Sequence, residues 1–329
     1  MNEWQKVKIT SSFAFLREMY VLRQQWREKE NLSCLEYYRG HADAAWRLLP
    51  VLYRTLPKAD GGKTSLAPFE SGLVQEFWRT RPEEFSPSLG MFNVLAKMQH
   101  YGLPTRLMDL TSNPAVALFF ACCSYNRRTH PTDVRDGEVI VYQTTREELP
   151  NIEVLNIIAD FCVNRCIYGD SLREFYDDCA IRYPRKRLAE AFAMLTCTDK
   201  FLACPQIISE RISRQKGFFI LFTGQICPKS GCRSPVCPDN ECPNRAGRDY
   251  ASYTPEERLD KVSIHDRVYD PTDYHYGYRQ DGKRYIVDGE SKLEILDELD
   301  SIGINEAFLF PELQYESKRI VDDYLSRIN

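Results

Sequence analysis

The sequence predicts an α+β fold. Three observations point to it: segments with apolar residues at helical spacing near the N-terminus, short β-branched runs later in the chain, and a stretch over 151–200 with several helical patterns and few strand signals. Residues 11–30 predict a helix, because Ser11 or Ser12 can cap it and Phe15, Leu16, Met19 and Leu22 share one face. LEYYRG then reads as a strand ending at a glycine. Residues 66–80 predict another helix, and MFNVLAKMQHYG one more, with Gly102 as its C-terminal cap and Pro104 barring continuation. Asn113 is a good N-cap and Pro114 suits a first helical position, so a helix starts there, buried because its first turns are almost wholly apolar.

GEVIVYQ (137–143) is a strand by its β-branched alternation, and 151–205 reads as a helical insertion. Strand character resumes in RISRQKGFFILFTG. A cysteine-rich loop, the short strand RYIVDG, a helix over 291–300, the strand INEAFLFP and a terminal helix complete the chain. With 329 residues and 43 % hydrophobic content, the chain can bury a sizeable core.

The net charge of −4, from 43 basic and 47 acidic residues, supplies no global attraction for nucleic acid or anionic lipid. Contact with RNA would need local runs such as RRTH (127–130) or RYPRKR (182–187), for which a solvated helix face is the alternative. MNEWQKVKITSSFAF lacks an apolar core followed by a small-residue cleavage site, and nowhere do about 18 uncharged apolar residues run together. A soluble cytoplasmic protein with no membrane partner is expected.

Of the 12 cysteines, eight are scattered without pattern and suit free thiols in a reducing compartment. Cys227, Cys232, Cys237 and Cys242 instead recur every five residues in a loop rich in proline and polar residues. They have the residue types of a Cys₄ structural zinc site, closed to substrate, and free thiols are the alternative.

Two polar constellations carry chemistry. In Tyr38-Arg39-Gly40, an arginine at a strand end beside a glycine suits bidentate capture of phosphate or carboxylate. In QHYGLPTRLMDLTSNP, the residues His100, Thr105, Arg106, Asp109, Thr111 and Ser112 lie between a helix end and a helix start, and such a run lines a cleft. The alternative pairs Arg106 with Asp109 and leaves His100 capping its own helix. No Walker A or G-x-G-x-x-G phosphate loop is present.

Tyr38-Arg39-Gly40, Trp46-x-Leu48-x-Pro50 with Arg54, and Gln99 through Leu107 with Asp109, Asn113, Ala117 and Phe120 together resemble the FRG domain, named for its Phe/Tyr-Arg-Gly signature. Arg211, Gln215-x-Gly217-x-Phe219 and Phe310-Pro311-Glu312-Leu313 resemble that family's later elements, which makes 1–329 a single FRG-type domain: core over 1–150, helical insertion, and core resumed over 206–329 with the Cys-rich loop 227–242. The resemblance implies an ADP-ribosyltransferase-like split β-sheet core with flanking helices. It implies a strand-borne arginine at Arg39, a second polar strand near Thr105 through Asp109, and a third-strand Gln215, or else Glu210, around NAD as substrate. A clean Ser-Thr-Ser and a Glu-x-Glu or Gln-x-Glu are missing.

On that resemblance, Arg39, Asp109 and Gln215 are the expected catalytic residues, and Tyr38, Gly40, His100, Thr105 and Arg106 the expected cofactor-binding ones. Tyr38, Tyr101 and Phe219 would wall the nicotinamide, with a core role as the alternative. The expected activity is NAD-dependent ADP-ribosylation of a macromolecule, protein or nucleic acid, by a bacterial toxin or anti-phage effector. Toxicity implies an antitoxin or other regulatory partner. A non-catalytic NAD- or ADP-ribose-binding module and a metal-independent nuclease using His100 with Arg39 and Arg106 are the competing expectations.

Overall fold

The computed structural model describes residues 5–30, 34–46, 48–54, 56–57, 63–86, 88–123, 134–145, 149–168, 172–195, 200–206, 210–223, 225–228, 262–265 and 283–310. Its strands are β1 (Gln5–Ile9), β2 (Cys34–His41), β3 (Leu56–Pro57), β4 (Lys63–Thr64), β5 (Leu107–Thr111), β6 (Gly137–Thr145), β7 (Lys200–Ala203), β8 (Gly217–Phe222), β9 (Gln225–Pro228), β10 (Val262–His265) and β11 (Lys283–Val287). Its helices are α1 (Ser12–Glu30), α2 (Glu70–Thr80), α3 (Met91–His100), α4 (Pro114–Cys122), α5 (Ile152–Tyr168), α6 (Leu172–Arg182), α7 (Arg185–Leu195), α8 (Glu210–Arg214), α9 (Lys292–Ser301) and α10 (Glu306–Leu309). This is the mixed α+β architecture that the periodicity predicts.

Seven strands form one sheet in the order β1-β11-β6-β2-β5-β8-β7. β1 runs parallel to β11, and the other neighbours are antiparallel. The joint at the centre is narrow. β2 and β5 share one register pair, Tyr38 opposite Thr111, although β2 stays paired with β6 through His41 and β5 with β8 from Leu107. Beyond that pair the two strands part, leaving a slit between Arg39–His41 and Asp109.

One face of the sheet carries two separate cores, divided at this joint. α1, α4 and α9 cover the β2 side, where Phe15, Met19, Ala117, Leu118 and Ile295 pack on Tyr38, Val141 and Tyr285. α3, α5 and α7 cover the β5 side, where Leu95, Ile158, Phe161 and Phe192 pack with Leu107, Phe219 and Leu221. The other face is bridged by a single smaller core of Tyr37, Met108, Leu110, Ile140, Tyr142, Ile220 and Phe222, with Leu48 and Tyr53 against it.

Most predicted helices stand within a few residues. Asn113 caps α4, its side chain accepting from the Ala115 N–H at 3.0 Å, and Gly102 follows α3 at φ 91°, where a side chain would be strained. Two predictions need correction. Residues 211–214 belong to α8 rather than to a strand, and Lys216 at φ 50° turns the chain into β8. INEAFLFP holds a helical turn, because Asn305 accepts from the Phe308 N–H at 2.8 Å and this cap overrides the apolar alternation. The stretch 151–205 is helical through α5, α6 and α7, and the addition to the expectation is its last element, edge strand β7. The terminal helix expected after 311 lies outside the described residues.

Candidate functional site

Side chains alternate across a strand, so the register assigns each site residue to a face. Tyr38 and Gly40 lie on the helix-covered face of β2, and Arg39 and His41 on the other. On β5, Asp109 shares the helix-covered face with Leu107 and Thr111. Arg39 and Asp109 therefore leave the sheet on opposite faces, and meet only around the slit.

Arg39 is half-buried at the slit. Its Nη1 donates to the Asp109 carbonyl oxygen at 2.6 Å, and its Nε donates to His41 Nε2 at 2.8 Å. The guanidinium thus bridges two strands where their ladder fails. Burial pushes its pKa below the usual arginine value, and the charge of Asp109, then that of Tyr142, opposes part of the shift. Arg54, whose Nε donates to the Leu49 carbonyl at 3.1 Å, is also depressed, first by burial and then by the positive charge of Arg39, with Asp109 again opposing. Among the described residues, no carboxylate is within ion-pair distance of either guanidinium.

Asp109 is exposed. Its Oδ1 accepts from Gln99 Nε2 at 2.7 Å, and the Gln99 Oε1 accepts from the buried Thr105 hydroxyl at 2.5 Å. Thr105 also accepts from the Leu107 N–H at 3.2 Å, so a three-residue relay from the end of α3 fixes the carboxylate. Thr105 acts through Gln99 rather than facing a ligand. His100 ends α3 with its ring 5.1 Å from that of the exposed Tyr101.

Arg106 corrects the expectation of a second clamp. It is 1 % exposed and is the largest fully buried side chain among the described residues. Its Nε donates to both oxygens of Glu70 at 2.9 and 3.0 Å, Nη2 also bonds Glu70, and Nη1 and Nη2 reach the carbonyls of Phe222 and Cys162 at 2.8 and 3.3 Å. Burial works against its charge, and Glu70 more than restores it, holding the pKa well above the ordinary arginine value. Sealed from solvent and bonded through every nitrogen to Glu70 or backbone, Arg106 does not face a ligand. Its pairing with Asp109, the alternative reading, does not occur either.

Tyr38 and Gly40 are likewise structural. Tyr38 is 1 % exposed and its hydroxyl donates to Glu36 Oε2 at 2.8 Å. A Cβ on Gly40 would lie 1.9 Å from the Ala117 carbonyl oxygen and 2.6 Å from the Ala121 nitrogen, so the glycine admits α4, not a ligand. Phe219 is buried in the α5-side core and cannot wall a ligand. Gln215 precedes β8. Its carbonyl accepts from the Thr111 hydroxyl at 2.6 Å and its amide donates to Leu309 O at 3.1 Å, which places it at the closed end of the β2–β5 joint, away from the slit.

Arg54 stands in the FRG-like signature of the sequence without a chemical role, and the structure brings it near enough to Arg39 to feel its charge. Its spacing of 15 residues from Arg39 across an irregular segment carries no periodic signal. Cys227 lies in β9, whereas Cys232, Cys237 and Cys242 lie outside the described residues. Among the described residues no cluster of three metal-ligating side chains occurs, and no helix is long and apolar enough to cross a membrane.

Residues 36–130 match the FRG domain family model, so the chain carries an FRG domain. The matched span takes in β2, β5 and α4, and with them Arg39, Arg54, Gln99 and Asp109; Gln215 and Phe310 fall beyond it. No curated protein and no solved structure matches the chain.

Proposed function

We propose that the slit between β2 and β5 binds NAD by its diphosphate and that the protein transfers the ADP-ribose to a macromolecule, protein or nucleic acid. The observation that carries this reading is the Arg39 guanidinium at the slit, which bonds only the Asp109 carbonyl and His41 and has no ion pair among the described residues, with a second guanidinium, Arg54, near enough to feel its charge. Two desolvated like charges are relieved by an anion, and planar donor forks fit phosphate oxygens bidentately.

Cleavage of the nicotinamide–ribose bond develops positive charge on the sugar. In this reading Arg39 and Arg54 hold the diphosphate, while Asp109, oriented by Gln99, lies through the slit to steady that charge or to take the acceptor's proton. His41 fixes the rotamer of Arg39 through its Nε bond. Activity against a macromolecule of the producing cell would call for a neutralising partner. The zinc expectation stands on the four cysteines alone, and metal analysis of the purified chain tests it: one equivalent of zinc, lost on substituting Cys232 and Cys237, is expected.

A second reading, an NAD- or ADP-ribose-binding module without turnover, is favoured by one observation: Arg39 and Asp109 leave opposite faces of the sheet. Incubation with NAD labelled in its adenylate phosphate and a cell lysate separates the two. Label entering material sensitive to protease or nuclease supports transfer and names the acceptor class. Asp109→Asn should then slow incorporation by about 10²–10⁴-fold while NAD binding persists. Binding without incorporation by the unaltered protein supports the second reading, and cut rather than labelled RNA would replace both.

A further inference from the structure

Trp46 holds 44 % of its surface in solvent on a turn that is otherwise tied down. The turn is pinned from behind by cations on two separate elements: Lys292 Nζ donates to the Ala42 carbonyl at 2.6 Å and Arg284 Nη2 to the Ala44 carbonyl at 3.0 Å. Asp43 is held by Arg135 at 2.6 Å and accepts from the Ala45 N–H at 2.9 Å. The Ala44 N–H donates to the Asp136 carbonyl at 2.7 Å, and the Trp46 N–H to the Asp43 carbonyl at 3.0 Å. A large apolar ring shown to water on so fixed a support loses little further freedom when something covers it.

The ring stands next to the anion site. Its centroid is 6.4 Å from that of His41, at an interplanar angle of 58°, and His41 in turn receives Arg39 Nε. One imidazole therefore separates an exposed indole from a guanidinium with no ion pair among the described residues. An aromatic face beside paired arginines is the combination that reads a nucleotide, since every base has a face to stack and every nucleotide a phosphate to clamp.

The geometry points to Trp46 as the platform on which the planar base of a nucleotide stacks while its phosphates rest on Arg39 and Arg54. This deepens the proposed function and rests on the anion site assigned there.

Three probes test the assignment by titration against the full chain, with intrinsic fluorescence and heat as readouts: ADP, nicotinamide mononucleotide and inorganic pyrophosphate. Trp46→Ala should weaken whichever nucleotide stacks by about tenfold and leave pyrophosphate unchanged, with Trp46→Phe restoring most of the loss. Equal loss for pyrophosphate, or no loss for either nucleotide, overturns the stacking role. The anion site is judged separately. If Arg39→Ala binds pyrophosphate as well as the unaltered protein, or the unaltered protein does not bind it, the anion reading fails and takes the stacking role with it. Unchanged melting of the Trp46 variants shows that the turn itself survives.

Discussion

Arg39 and Arg106 look alike in the sequence, each in or next to a strand and each in a polar signature, yet the fold treats them in opposite ways. Arg106 is sealed, with Glu70 and backbone carbonyls taking its donors. Arg39 is more exposed, is bonded to a carbonyl and an imidazole, and feels the Asp109 carboxylate only at a distance, with no ion pair among the described residues. The contrast separates a charge that the fold consumes from one that the proposed function would use. A buried ion pair with saturated geometry leaves no valence for anything else, whereas a strained cluster of like charge persists at a cost that an incoming anion can offset.

The comparison can be broken first at Glu70. Glu70→Ala strands the Arg106 guanidinium in the core and should destabilise the chain by about 3–5 kcal/mol in denaturant unfolding, while replacing both residues by apolar ones of similar volume should recover much of that. A loss below about 1 kcal/mol for Glu70→Ala would show that Arg106 reaches water. Next in size, Gly40→Ala pushes a methyl into the backbone of α4 and should cost about 1–3 kcal/mol, or more if the helix cannot shift. If stability were unchanged and nucleotide binding fell, the glycine would belong to the ligand rather than to α4.

Arg39→Ala sharpens the contrast from the other side. Its stability change should stay within about 0.5 kcal/mol, because the residue gives up a depressed, unpaired charge together with its hydrogen bonds. Pyrophosphate binding should disappear.

A milder loss of stability than at Glu70 or Gly40 is expected where α1 meets α9. Glu298 receives the Ser11 hydroxyl at 2.9 Å and the Ser12 N–H at 2.5 Å, and so caps α1 from α9. Burial works to raise its pKa, and the bonds from Ser12 and Ser11 outweigh burial, leaving it below the ordinary 4.5. A folded value below the unfolded one stabilises the protein above pH 4.5 and is lost as the pH falls through the folded value. Glu298→Gln should cost about 1 kcal/mol at pH 7 and little at pH 3, by unfolding curves at the two pH values. An equal cost at both would mean that the cap does not depend on charge.

What could be read from the sequence was local. The cap at Asn113-Pro114, the turn at Gly102 and the strand through Tyr38-Arg39-Gly40, which runs one residue further to His41, follow from residues within a turn of one another. The proposed anion site depends on β2 and β5 sharing only one register pair, a fact of tertiary register that no local pattern encodes. For the same reason Arg106 passed for a ligand: its partner Glu70 is 36 residues away, at the start of a helix whose own pattern gives no hint of it. The glycine of Tyr38-Arg39-Gly40 was read as room for a ligand, whereas the room is taken by α4.

The most direct test is NAD binding by titration calorimetry with three proteins: the unaltered chain, Arg39→Ala, and the Glu70→Leu, Arg106→Met pair. Binding that is abolished in Arg39→Ala and retained in the pair is the predicted outcome. Equal binding in the unaltered protein and Arg39→Ala, or loss only in the pair, would contradict the assignment of the slit arginine as the one that holds the ligand.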